Sequence, residues 1–137
     1  MAKVILIQGI HITKAGKGTV ENMLGTSKLF TKSLAYAEKQ KPDKILVLSP
    51  YHYLLKLDDI IEKVDKGFKD MTAHEKYLWA AETAKRIGKI CDLNNDVFSF
   101  LAGKDYYIYL LPYMQHYEIP MEGLRIGEKL HWLNKRI

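Results

Sequence analysis

The stretch Lys44-Ile45-Leu46-Val47-Leu48-Ser49, running on into Pro50-Tyr51-His52-Tyr53-Leu54-Leu55-Lys56-Leu57-Asp58-Asp59-Ile60-Ile61, decides the fold. Its first part is a short apolar run without alternation, as in a strand covered on both faces. The run ends at a small hydroxyl residue, a proline and a knot of rings. α/β proteins build sites where such strands stop, because ligands of open α/β sheets bind beyond the carboxyl ends of the strands. The segment therefore predicts the place of a site, though not its chemistry.

Two more runs have the same character. Val4 to Gln8 is short, apolar and β-branched, and Val97 to Ala102 ends at Gly103. Tyr117-Glu118-Ile119-Pro120 is a candidate fourth strand. Between the strands lie helical patterns. Ser27 can cap a helix to about Gln40, with Leu29, Phe30, Leu34 and Ala37 on one face. Thr72 with Glu75 forms a capping box for a helix to about Ile90, with Tyr77, Leu78, Ala81, Ala84 and Ile87 as its buried face. Asp105 to Gln115 reads as a helix shortened by Pro112, and Gly127 to Arg136 as a closing helix. Gly9 to Gly25 reads as loop, and Asp58 to Lys66 as a turn or short helix. Strands alternating with helices predict an α/β fold: a mostly parallel sheet of about four strands with helices on both faces. The 137 residues fit a single domain.

Composition narrows the class. Hydrophobic residues make up 47% and charged residues 27%, a globular balance that argues against disorder. No apolar run approaches the ~20 residues of a membrane helix, and the N-terminus enters a strand-like run without a cleavage signal, so a cytoplasmic protein without membrane association is expected. The single cysteine, Cys91, excludes an internal disulfide and a multi-cysteine zinc site, and reads as a structural thiol. The five histidines show no ligand spacing, so no metal is expected. No other cofactor is expected either. A net charge of +5, carried mainly by lysine, favours an anionic partner such as nucleic acid or a nucleotide.

Three segments could form a site. The loop after the first strand, Gly9-Ile10-His11-Ile12-Thr13-Lys14-Ala15-Gly16-Lys17-Gly18-Thr19, is glycine-rich with lysines and threonines, and its amides could cradle phosphate. It lacks the P-loop spacing. In the second segment His52 suits proton transfer. Ser49 could be a nucleophile, hold a ligand or satisfy a strand end, while Tyr51 and Tyr53 could stack on a base or pack the sheet edge. The third is Leu101-Ala102-Gly103-Lys104-Asp105-Tyr106-Tyr107, where Gly103 allows close backbone approach and Lys104 can hold a phosphate. Gly123 and Gly127, which follow Glu122 ahead of the last helix, could form a further anion seat. Asp59, Asp65 and Glu122 are the carboxylates that could assist cleavage of a glycosidic bond.

The order Ser-x-x-His-x-Leu-Leu-x-Leu-Asp-Asp from Ser49, Leu-Ala-Gly-x-x-Tyr from Leu101, and Pro-x-Glu-Gly-Leu-x-Ile-Gly-x-x-Leu-x-Trp-Leu from Pro120 resembles a compact bacterial and phage family, largely of unknown function. That family looks like a minimal relative of the YaaA peroxide-stress proteins. Ser49 and Leu54 match its second-strand motif, and Thr13 and Lys14 take the place of a Thr-Lys pair after the first strand. The resemblance implies a YaaA-like α/β fold, DNA binding and a cleft comparable to those of DNA glycosylases. On that reading the chain acts on a nucleobase or N-glycosidic bond in DNA. Ser49, His52, Asp59 and Asp65 would be catalytic. Thr13, Lys14, Tyr51, Gly103, Lys104, Tyr106, Glu122, Gly123 and Gly127 would bind nucleic acid. The alternatives are a non-catalytic nucleic-acid or nucleotide binder, phage-encoded and directed against a host system, and a protein-interaction module. Leu130, Trp132, Leu133 and Ile137 leave an apolar end on which a homodimer could form. All these readings require Ser49, Gly103 and the Gly123-to-Gly127 turn to meet at one hollow.

Overall fold

In the computed structural model the described residues are 1–9, 12–64 and 67–137, with backbone alone for 12–15, 63 and 64. Three apolar runs make the centre of the sheet: β1 (Lys3–Gln8), β3 (Lys44–Ser49) and β6 (Val97–Leu101). β1 lies between the other two and is parallel to both, with Ile5 opposite Ile45 on one side and Ser99 on the other. Two short edge strands complete it. β4 (Tyr53–Leu55) pairs antiparallel with β3, and β7 (His116–Glu118) pairs parallel with β6. The sheet is thus five-stranded, in the order β4-β3-β1-β6-β7. The expected count of about four missed β4, which turns back on β3 within three residues of its end.

A separate ribbon replaces two expected irregular segments. β2 (Ile12–Thr19) pairs antiparallel with β5 (Ile60–Val64), Thr19 opposite Ile60 and Gly18 opposite Ile61. The Gly9-to-Gly25 loop is therefore mostly strand, followed by the helical turn α1 (Val20–Leu24), capped by the Thr19 hydroxyl. Local propensity hid this pairing, since each strand of the ribbon finds its partner some forty residues away.

Both sheet faces are buried, which explains why the central strands do not alternate. Ile5, Ile7, Val47 and Leu101 face α1, α2 (Lys28–Lys39) and α5 (Ile126–Asn134), meeting Met23, Phe30, Leu34 and Leu133. Val4, Leu6, Leu46, Leu48, Phe98 and Phe100 face α3 (Ala73–Gly88) and meet Trp79, Ala80, Ala84 and Ile87. Ser27 caps α2 as expected, its hydroxyl accepting from Phe30 N at 3.1 Å. Thr72 and Glu75 form the capping box of α3. The buried face of α3 differs from expectation. Trp79, Ala80, Thr83, Ala84 and Ile87 point inward, while Tyr77 and Leu78 are more than half exposed. The helix expected over Asp105 to Gln115 breaks into α4 (Lys104–Tyr107) and a 3-10 turn at Leu111–Tyr113, because Pro112 cannot donate the bond an α-helix would need there.

At the amino-terminal rim, the buried Asp96 carboxylate accepts from Ala2 N and Asp92 N, both at 2.8 Å. These bonds hold its pKa below the usual carboxylate range. Cys91 lies at the same rim beside an open hollow of about 590 Å³. Burial raises its thiol pKa, which disfavours the thiolate a nucleophile requires.

Candidate functional site

The chain leaves β1 through α1 and α2 on one face to reach β3, then returns through α3 on the other face to β6. The strand order therefore reverses between β1 and β6. In doubly wound sheets the crevice beyond the carboxyl ends of such a strand pair is where ligands bind. Here Gln8, Gly9, Ala102 and Gly103 occupy that point. Gly103 N donates to Gln8 Oε1 at 2.7 Å, and the Tyr106 hydroxyl donates to Gly9 O at 2.8 Å. Gly9 N donates to Leu48 O, and a Cβ at Gly9 would lie 2.8 Å from that same oxygen, so only glycine fits against β3. The floor of the crevice is thus fixed by hydrogen bonds that run from β3 through β1 to the start of α4.

Two hollows open on either side of Gly103 and Lys104. The first, about 390 Å³, lies between Ala102–Lys104, Tyr107 and the segment Met121–Leu124, with Lys129 of α5 reaching in. Gly123, at φ +80°, makes the turn that brings this segment over the rim. Burial pulls the Lys129 pKa below its ordinary range, so its amine is poorly solvated where it sits. Burial, and secondarily the charge of Glu122, raise the Tyr107 pKa. Among the described residues, Lys104, Glu122 and Lys129 form no ion pair with one another or with a neighbour. Three charged side chains without an ion pair among the described residues therefore surround one cleft. The second hollow, about 610 Å³, is bordered by Gly67, Phe68, Lys69, Asp105 and Tyr106. Tyr106 and Phe68 meet edge to face at 4.7 Å, and burial raises the Tyr106 pKa far above normal. Its hydroxyl is committed to Gly9, so Tyr106 forms a wall here.

Gly103, Lys104, Glu122 and Gly123 thus come together as the sequence suggests. Gly127 follows one residue after the start of α5 and does not line the first hollow. Ser49 sits on the same rim but faces elsewhere, a correction to the expected convergence. Its hydroxyl accepts from His52 N at 3.0 Å, and its carbonyl accepts from the buried Trp79 Nε1 at 2.9 Å. The hydroxyl that the sequence offered as a nucleophile thus serves the turn at the strand end. His52 Nε2 is sealed from solvent without a partner, and burial lowers the ring's pKa. Arg86 Nη1 donates to His52 O and its guanidinium stacks 4.4 Å from the Tyr53 ring centroid, holding Tyr53 at φ +67°. Tyr51 is exposed, its ring edge-on to His52, beside a shallow groove of about 300 Å³ floored by Trp79 and Met71. Asp59 closes the turn into β5, its carboxylate accepting from Lys56 N at 2.8 Å while its carbonyl accepts from Val20 N. Thr13 and Lys14 fall on β2, with side chains outside the described residues, as is Asp65. Among the described residues no three His, Cys, Asp or Glu side chains gather as metal ligands.

Lys129 is the cleft residue the sequence reading missed, and of the tyrosine pair it offered beside Gly103, Tyr107 lines the first hollow. A lysine in the first turn of a helix that follows a glycine turn was the signal available for Lys129. Tyr107 adjoins the Gly103 segment, but nothing in the sequence told which of two adjacent tyrosines faces this cleft.

An α/β protein with a charged cleft at its switch point is the class that fold and site define. The family model of DUF6884, a family of unknown function, matches residues 4–135, and the chain belongs to that family. No curated protein and no solved structure matches it. No helix among the described residues is long and apolar enough to cross a membrane.

Proposed function

We propose that the protein binds a nucleotide or nucleic-acid ligand at the carboxyl rim of the sheet, in the cleft between Gly103 and Gly123. The observation that carries this reading is the set of charges there that form no ion pair among the described residues. Lys104 and Lys129 offer two ammonium groups to a phosphate, and Glu122 offers an acceptor to a base or sugar. Gly103 and Gly123 keep backbone rather than side chains at the mouth. The overall charge of +5 would favour the encounter with an anion. The YaaA-like pattern around Ser49, Gly103 and Pro120 points the same way.

Binding is favoured over catalysis because Ser49 and Asp59 both spend their side chains on backbone turns. Glu122 alone supports a second reading, N-glycosidic bond cleavage. It is the carboxylate of the cleft and could stabilise positive charge developing on a sugar. A fluorescent thymidylate oligomer titrated at two salt concentrations tests the first reading. Binding that weakens with salt and falls about tenfold in both Lys104→Ala and Lys129→Ala supports it. Binding indifferent to both substitutions would exclude the cleft. Base release from duplex or single-stranded DNA, lost in Glu122→Gln, would establish the catalytic reading.

A further inference from the structure

We propose that the two hollows flanking Gly103 and Lys104 hold consecutive units of one single strand, so that the ligand is an oligonucleotide crossing the rim rather than a free mononucleotide. This rests on the binding function proposed above and specifies its ligand. Gly103 and Lys104 border both hollows, so the two adjoin at this short segment and together can act as one trough. Of the two shared residues Gly103 has no side chain to stand between the hollows, and the nearest atom a Cβ there would meet is Gln8 Oε1, at 3.5 Å. Volumes of about 390 and 610 Å³ each fall within the ~300–1,000 Å³ typical of small-ligand sites, so the trough exceeds the needs of one nucleotide.

Charge runs along the trough in the same way. Lys129 stands at one end, Lys104 at the shared segment and Lys69 at the other end, with no ion pair formed by any of them among the described residues. The acid of the second hollow, Asp105, is countered by Lys76 at 3.3 Å. Rings also line the second hollow, Tyr106 and the mostly buried Phe68, where a base could meet an apolar wall. Successive ammonium groups beside successive cavities suit a strand whose phosphates alternate with bases.

Equilibrium binding of thymidine monophosphate, the dinucleotide and the tetranucleotide to the full chain provides the test. Affinity should rise at least ~10-fold from monomer to dinucleotide or tetranucleotide, with a salt slope that steepens as phosphates are added. Lys69→Ala should erase most of that gain with length. Lys69 is exposed and forms no ion pair among the described residues, so this variant should keep the wild-type fold, which circular dichroism verifies. Equal affinity for monomer and tetramer, or a gain with length that survives Lys69→Ala, overturns the proposal while leaving the nucleotide reading intact. Failure of all three ligands to bind overturns both.

Discussion

At Ser49 and Asp59 residue types suggestive of catalysis serve the backbone. Ser49 and Asp59 accept from amides three residues away, the bonds these side chains favour wherever a strand or turn ends. Sequence cannot separate that use from nucleophilic or acid–base chemistry, because both call for a short oxygen-bearing side chain after a strand. His52 carries the clearer consequence. Its Nε2 is buried without a partner, and burial lowers its pKa from the ordinary 6.5. The neighbouring cation Arg86, bonded to the His52 carbonyl, gives a proton there no relief. A group whose folded pKa is depressed in this way resists protonation in the folded state. Above pH 6.5 both states are neutral and stability is unaffected. As pH falls below 6.5 the unfolded chain takes up the proton first, so stability is lost with acid. The urea midpoint should therefore drop between pH 7 and pH 5 more in the wild type than in His52→Phe. The other histidines contribute equally to both proteins. Parallel pH profiles for the two would show that the ring titrates freely in the folded protein.

Among the elements, legibility follows the range of the interaction. β1, β3 and β6 are readable because burial on both faces writes a continuous apolar run into each. α2 and α3 are readable at their starts, where Ser27 and Thr72 leave local cap signatures. The β2–β5 ribbon is not, since a glycine-rich strand gains its pairing only from a distant partner. The face of α3 is misread for a related reason. Apolarity singles out Tyr77 and Leu78, yet the helix turns inward through Trp79 and Thr83 because Trp79 Nε1 reaches Ser49 O and Arg86 reaches the following turn. The capping box is a local device with a measurable worth. Thr72→Ala removes the acceptor for Glu75 N at 3.1 Å and should lower unfolding stability by about 1 kcal/mol. Thr72→Ser, which keeps the hydroxyl, should restore most of it. A Thr72→Ala protein as stable as wild type would mean that packing of Trp79 and Ile87 alone fixes the start of α3.

For the whole molecule, the candidate cleft is shared between two unequal parts. One wall belongs to β6 and α4, tied to the central strand by Gly103 N and Tyr106 Oη. The other wall, Met121 to Leu124 with Lys129, is held by apolar packing: Met121 is buried in the core, Leu124 lies against it, and α5 docks on α2 and the sheet. There Leu133 is fully buried, Trp132 meets Tyr36 edge to face at 5.0 Å, and Lys32 bonds the Asn134 side chain. Among the described residues α5 hydrogen-bonds to no strand, so its stability comes from apolar packing. Its amides should exchange through a local opening well below the global unfolding free energy, while those of β1 and β3 exchange only on global unfolding. Leu133→Ala leaves a cavity and should cost about 3 kcal/mol of that docking. Hydrogen exchange would then show α5 and the Met121–Leu124 turn deprotected together, with the strand amides losing less protection. Oligonucleotide affinity should fall in the same variant even though no residue touching the cleft has changed, because the ligand must close a wall that now stands open. Uniform loss of protection across helix and sheet would instead mean that the carboxyl-terminal helix folds as one unit with the sheet, and that the cleft is as rigid as the strands beneath it.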